Sequence, residues 1–70
     1  MKVRLLNDGG FAGLERVNFP VIVEASGSQD GLFVVHFDEI MNLDGAEYHE
    51  DDTDFGTKYS FFADEVEVVK

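Results

Sequence analysis

No stretch of this chain carries apolar residues at the three- and four-residue spacing that a helix longer than a turn or two needs to bury one face. Short runs alternate instead, and Gly, Asp and Asn punctuate them. KVRLL (2–6) sets Val3 and Leu5 against Lys2, Arg4 and Leu6. FPVIVEA (19–25) is β-branched, with Pro20 at its start, where a strand tolerates a missing N–H. LFVVHF (32–37) is apolar on both faces, as a strand inside a small barrel is. TKYSFF (57–62) sets Tyr59 and Phe61 against Lys58 and Ser60, and in ADEVEVVK (63–70) Val66 and Val68 face one way. NDGG (7–10) and SGSQDG (26–31) read as turns, and a short strand or turn is expected around Ile40 to Leu43. FAGLERV (11–17) pairs Phe11, Leu14 and Val17 at helical spacing, but Gly13 argues for an irregular excursion.

Five or six short strands between such turns predict an all-β domain spanning 1–70: a small antiparallel sheet curled into an SH3-like partly open barrel. The approach Phe61-Phe62-Ala63-Asp64-Glu65-Val66 resembles the short turn that enters the last strand of such barrels. A five-stranded barrel of the oligonucleotide-binding (OB-like) type is the alternative. Phe11, Phe19, Phe33, Phe37, Phe61 and Phe62 are the expected core aromatics, Tyr59 an expected cap over the open end.

Charge decides which partners such a domain can meet. Fifteen Asp and Glu stand against five Lys and Arg, a net charge of −10. Binding to nucleic acid or anionic lipid runs on Lys and Arg, so direct contact with either is disfavoured and a basic protein surface is favoured. The 44% hydrophobic content is enough for a core, which argues against general disorder. Without cysteine there is no disulfide framework and no thiolate metal site. MKVRLLND lacks the apolar run of a signal peptide, and no apolar stretch approaches the roughly 20 residues of a membrane span. The expectation is a soluble cytoplasmic protein.

Chemistry has few places to reside. There is no G-x-S-x-G elbow and no base evident beside Ser26, Ser28 or Ser60. Asp8-Gly9-Gly10 lacks the lysine of a phosphate loop. HEDDTDFG (49–56) invites calcium, but starting an EF-hand at Asp51 puts Phe55 at its fifth position and Phe62 at its twelfth. His36 and His49 would have to converge with Glu50 and Asp52 for zinc, and nothing in their spacing requires it. The expectation is therefore a non-enzyme with no cofactor, and a weak divalent-ion site among the acids of 44–54 and His49 is a second reading.

The remaining signal is the acidic segment. Asp38, Glu39, Asp44, Glu47, Glu50, Asp51, Asp52 and Asp54 fall in one stretch without a single Lys or Arg. If 50–54 were extended, Glu50, Asp52 and Asp54 would share one side about 6.8 Å apart, a sparse imitation of a nucleic-acid backbone. Tyr48 and Phe55 flank them, as aromatic anchors flank the charged rim of a protein-binding patch. The candidate partner face is thus Glu47, Tyr48, Glu50, Asp51, Asp52, Asp54 and Phe55. The competing reading is that like charges merely gather in a solvated loop, and pairing of sheet edges into a homodimer is a third.

VRLLNDGGFAGLERVNFPVIVEA, followed by an aromatic strand and a closing DEVEVV, resembles small acidic accessory proteins of bacteriophages and prophages, chiefly over the first 25 residues. The resemblance implies an inhibitor or modulator of a host protein, acting in the host cytoplasm. It carries no site residues with it.

Overall fold

Alternation along the first strand organises everything that follows. The computed structural model describes residues 1–27 and 31–69, so residues 28–30 of the expected 26–31 turn lie outside the described residues. In β1 (Lys2–Leu5) Val3 and Leu5 are fully buried, while Lys2 faces solvent. β1 pairs antiparallel with β2 (Val21–Glu24), setting Val3 opposite Val23. On its other side it pairs with the last strand, numbered β6 (Val66–Val68), setting Leu5 opposite Val66. Those four side chains form one apolar face.

A second sheet forms from β3 (Ser26–Gly27), β4 (Leu32–His36) and β5 (Lys58–Phe62). Phe33 pairs with Phe61 and Val35 with Tyr59, so Val35, Tyr59 and Phe61 turn inward and are fully buried. Only Ala25 separates β2 from β3, yet the two strands belong to different sheets. That residue is small and buried, and its backbone bonds to Met1 in both directions, at 2.7 and 2.9 Å. The chain is a small all-β domain of two three-stranded antiparallel sheets, and among the described residues no ladder joins one sheet to the other.

Two expectations need correction. Phe62 is not core: neighbours on a strand point to opposite faces, so burying Phe61 leaves Phe62 outward opposite Leu32 and 65% exposed. No strand forms around Ile40 either: Phe37–Met41 is a one-turn helix, α1, and the expected turn follows it, with the Leu43 N–H donating to the Ile40 carbonyl at 3.0 Å. The His36 ring accepts the Asp38 N–H at 3.3 Å, and Asp38 and Glu39 suit the positive end of the helix. Glu39 then accepts the Glu24 N–H at 2.9 Å, tying α1 to the edge of β2, and Ile40 is fully buried.

The long excursion between β1 and β2 carries a 3-10 turn at Ala12–Leu14 and ends at a cis Phe19–Pro20 peptide. Leu14 and Val17 plug the core, and Phe11 lies edge-on against Tyr59 and Phe61 with ring centres 5.2 and 5.3 Å away. At the other end, a 3-10 turn at Ala63–Glu65 leads into β6, and the Glu65 carboxylate accepts the Phe62 N–H at 2.8 Å.

Candidate functional site

Residues 44–57 form no strand of their own; they are bound down against the excursion at 11–17. Two hydrogen bonds at Gly13 contribute, one to a backbone amide and one to a side-chain carboxylate. The Glu47 N–H donates to the Gly13 carbonyl at 2.8 Å, and the Gly13 N–H donates to Asp52 Oδ2 at 2.9 Å. A Cβ at position 13 would lie 2.0 Å from the Glu47 carbonyl oxygen, so only glycine permits this approach.

Asp52 is thereby turned inward and half buried, which removes it from the proposed outward face. The extended ribbon through Glu50, Asp52 and Asp54 does not form either. Glu50–Asp52 is a 3-10 turn, closed by Asp52 N–H to the His49 carbonyl and by both Thr53 N–H and Thr53 Oγ1 to the Glu50 carbonyl. Thr53 wins the contest locally: its hydroxyl and amide both find an acceptor three residues back, which extended backbone would deny them.

Asp54 opens the tight turn that leads into β5. Its N–H donates to the Lys58 carbonyl at 2.8 Å, and its own carbonyl accepts from Thr57 and Lys58 at 3.2 and 3.3 Å. Its carboxylate accepts the Ser60 hydroxyl at 2.9 Å. The turn needs two successive residues with positive φ, and they are Phe55 at 57° and Gly56 at 76°. Gly56 is the natural occupant; Phe55 is not, and it is the only non-glycine with positive φ among the described residues. The Tyr48 hydroxyl donates to the Gly56 carbonyl at 2.8 Å, and the Tyr48 ring meets Phe37 edge-on at 6.0 Å.

The seven candidate residues therefore divide by task. Asp52 and Asp54 hold the loop together, and Tyr48, 46% exposed, braces the turn. Glu47, Glu50 and Asp51 present their side chains to solvent, and Phe55 is 98% exposed. Among the described residues no Lys or Arg pairs with any acid of 47–54. Arg4 pairs with Glu67 and the N-terminal amine with Glu24, while the Glu47 carboxylate lies 3.6 Å from the His49 ring.

Beneath this segment lies Tyr59. It is core rather than a cap at an open end: its ring is fully buried against Phe11, and its hydroxyl has no hydrogen-bond partner among the described residues. Burial, and secondarily the Asp52 carboxylate and the Tyr48 hydroxyl, hold its pKa above the ordinary phenol value of 10.0. Both Gly13 and Tyr59 escaped the sequence reading as parts of the site. The only hint was a glycine inside an otherwise apolar AGL.

His49 and His36 line different hollows. The first, about 240 Å³, lies between the excursion and the acidic segment beside Gly13, Arg16 and Glu47; the second lies beside Met1, Glu24 and Glu39. Among the described residues no group of three or more His, Asp or Glu is placed to hold a metal ion. Among them, too, no helix is long and apolar enough to cross a membrane. No family model matches the chain, and neither a curated protein nor a solved structure matches it.

Proposed function

We propose that this domain is a non-catalytic interaction module that docks on a basic protein surface through the face bearing Glu47, Glu50 and Asp51. The observation that carries the reading is that, among the described residues, they have no Lys or Arg partner, in a molecule of net charge −10. Uncompensated carboxylates in one segment set up a field that attracts and orients a cationic protein, raising its association rate by about 10- to 1,000-fold, an effect that salt suppresses. The resemblance to phage accessory proteins supports a host protein as target and modulation as outcome. Imitation of a nucleic-acid backbone loses its support, because it rested on an extended 50–54 and Glu50–Asp52 is instead a 3-10 turn with Asp52 facing inward. For the architecture we read an SH3-like partly open barrel; the passage of the chain from one sheet to the other through Ala25 alone and the 3-10 turn before the last strand support it.

Affinity capture from a host-cell lysate tests the proposal. The informative variant combines Glu47→Gln, Glu50→Gln and Asp51→Asn and leaves Asp52 and Asp54 intact, since these two hold the loop. Wild type should retain a protein with a basic face that the variant releases. Recovery of the same proteins by both removes the acidic face from the binding site.

A further inference from the structure

Phe55 occupies a position that the fold does not repay. A bulky L-residue at φ 57° is strained, and the ring it carries is 98% exposed. It makes no ring contact with another aromatic, unlike Phe11, Phe37 and Tyr48. Asn or Gly would serve the turn better and expose nothing apolar. The turn is nonetheless firmly built. Asp54 and Lys58 exchange backbone hydrogen bonds, Asp54 takes the Ser60 hydroxyl, and Tyr48 holds the Gly56 carbonyl. The backbone that carries the ring is held in place before any partner arrives, which lowers the entropic cost of ordering this turn on binding.

Resting on the acidic-face reading, we infer that Phe55 is a preset anchor that enters an apolar pocket on the partner, a pocket rimmed by Lys or Arg. The rim follows from the surroundings: Glu50 and Asp51 are solvent-exposed and have no Lys or Arg partner among the described residues, and Lys58 is the only Lys or Arg between residues 38 and 58. An anionic bilayer is excluded by the same charge, and two copies of the chain, each at −10, repel one another. Tyr48 is a positioning residue in this scheme, acting on the anchor through Gly56. An exposed aromatic that fills a desolvated pocket commonly dominates an interface, so its truncation should weaken binding by about 30-fold or more.

A chemical stand-in for such a pocket makes the test direct. Heptakis(6-amino)-β-cyclodextrin is an apolar cavity of phenyl width ringed by ammonium groups, and neutral β-cyclodextrin is the same cavity without them. Titrated against the intact protein and followed by NMR, the amino form should shift residues 54–57 saturably and bind up to about fivefold more tightly than the neutral form. Phe55→Asn should lose at least tenfold in affinity for both hosts and, by relieving the turn, raise the thermal midpoint. Glu50→Gln with Asp51→Asn should erase the preference for the amino form while leaving affinity for the neutral one unchanged. A lower thermal midpoint in Phe55→Asn overturns the anchor, since the ring would then serve the fold. Binding that survives Phe55→Asn overturns it too, as does concentration-dependent self-association abolished by that change. A preference for the amino form that persists without Glu50 and Asp51 overturns the acidic rim alone and leaves the anchor standing, which separates the two claims.

Discussion

The turn at 54–57 and the strand floor beneath it hold two aromatic residues four positions apart, and each sits in the environment suited to the other. Phe55 has no polar atom and stands in water; Tyr59 has a hydroxyl and is fully buried with no hydrogen-bond partner among the described residues. A fold selected for stability alone would exchange such placements, because an exposed phenyl forgoes burial and a buried lone hydroxyl loses its water at a cost. The floor is closed by packing, with Phe11 edge-on to Tyr59 and Leu14 beside it in the core. The tip is closed by hydrogen bonds around Asp54 and Gly56. A packed floor tolerates a misplaced polar atom, and a hydrogen-bonded tip tolerates a misplaced apolar one. Tip and floor are coupled through Asp52 and Gly13, and that coupling is where the comparison can be broken.

Gly13→Ala should have the largest effect. Its methyl would stand 2.0 Å from the Glu47 carbonyl oxygen, so the two segments must separate, at a cost of about 3 kcal/mol in denaturant unfolding. If Gly13→Ala is as stable as wild type, the acidic segment is not docked as described. Asp52→Ala comes next. It strips a charged acceptor from the part-buried Gly13 N–H and should cost about 2 kcal/mol.

Tyr59→Phe should act in the opposite direction, stabilising by about 1 kcal/mol because an unpaired buried hydroxyl disappears. A loss of stability instead would show that the hydroxyl has a partner in solution. The same residue sets an alkaline signature. With the folded pKa above 10.0, the unfolded chain surrenders the phenol proton first as pH rises, so this contribution is complete below pH 10.0 and drains away as pH climbs through the folded value. Subtracting the pH–stability curve of Tyr59→Phe from that of wild type isolates it. In Asp52→Ala the drain should start at the same pH but end sooner and be smaller in total, since a neighbouring charge that raises the folded pKa is gone.

The smallest effect belongs to the outward acids. Glu47→Gln, Glu50→Gln and Asp51→Asn together should change stability by no more than about 0.5 kcal/mol, as a slight gain that fades when salt screens the repulsion. A large loss would show that these carboxylates serve the fold like Asp52.

Much of the architecture was legible because period-two alternation is a local property. Val3, Leu5 and Phe61 turn inward as their spacing indicates, and NDGG turns the chain through side-chain acceptors at Asn7 and Asp8. Phe62 departs from the expected core because adjacent residues on a strand point to opposite faces, so FF cannot bury both rings on one side. α1 was missed because five residues are too few for helical periodicity to register. Within the acidic segment the run of Glu and Asp announced a charged surface but did not sort it. Asp51 and Asp52 are chemically alike and adjacent, yet only Asp52 meets a Gly13 amide that lies 39 positions away.

By itself, then, the sequence determined the strand-forming runs, the turns between them and the concentration of negative charge, since each depends on residues a few positions apart. Which acid faces the solvent, which glycine must be bare, and which aromatic is left in water were decided only by the tertiary structure. Those outcomes rest on contacts between segments far apart in the chain, where a hydrogen-bonding group or a free volume exists only after the two have met.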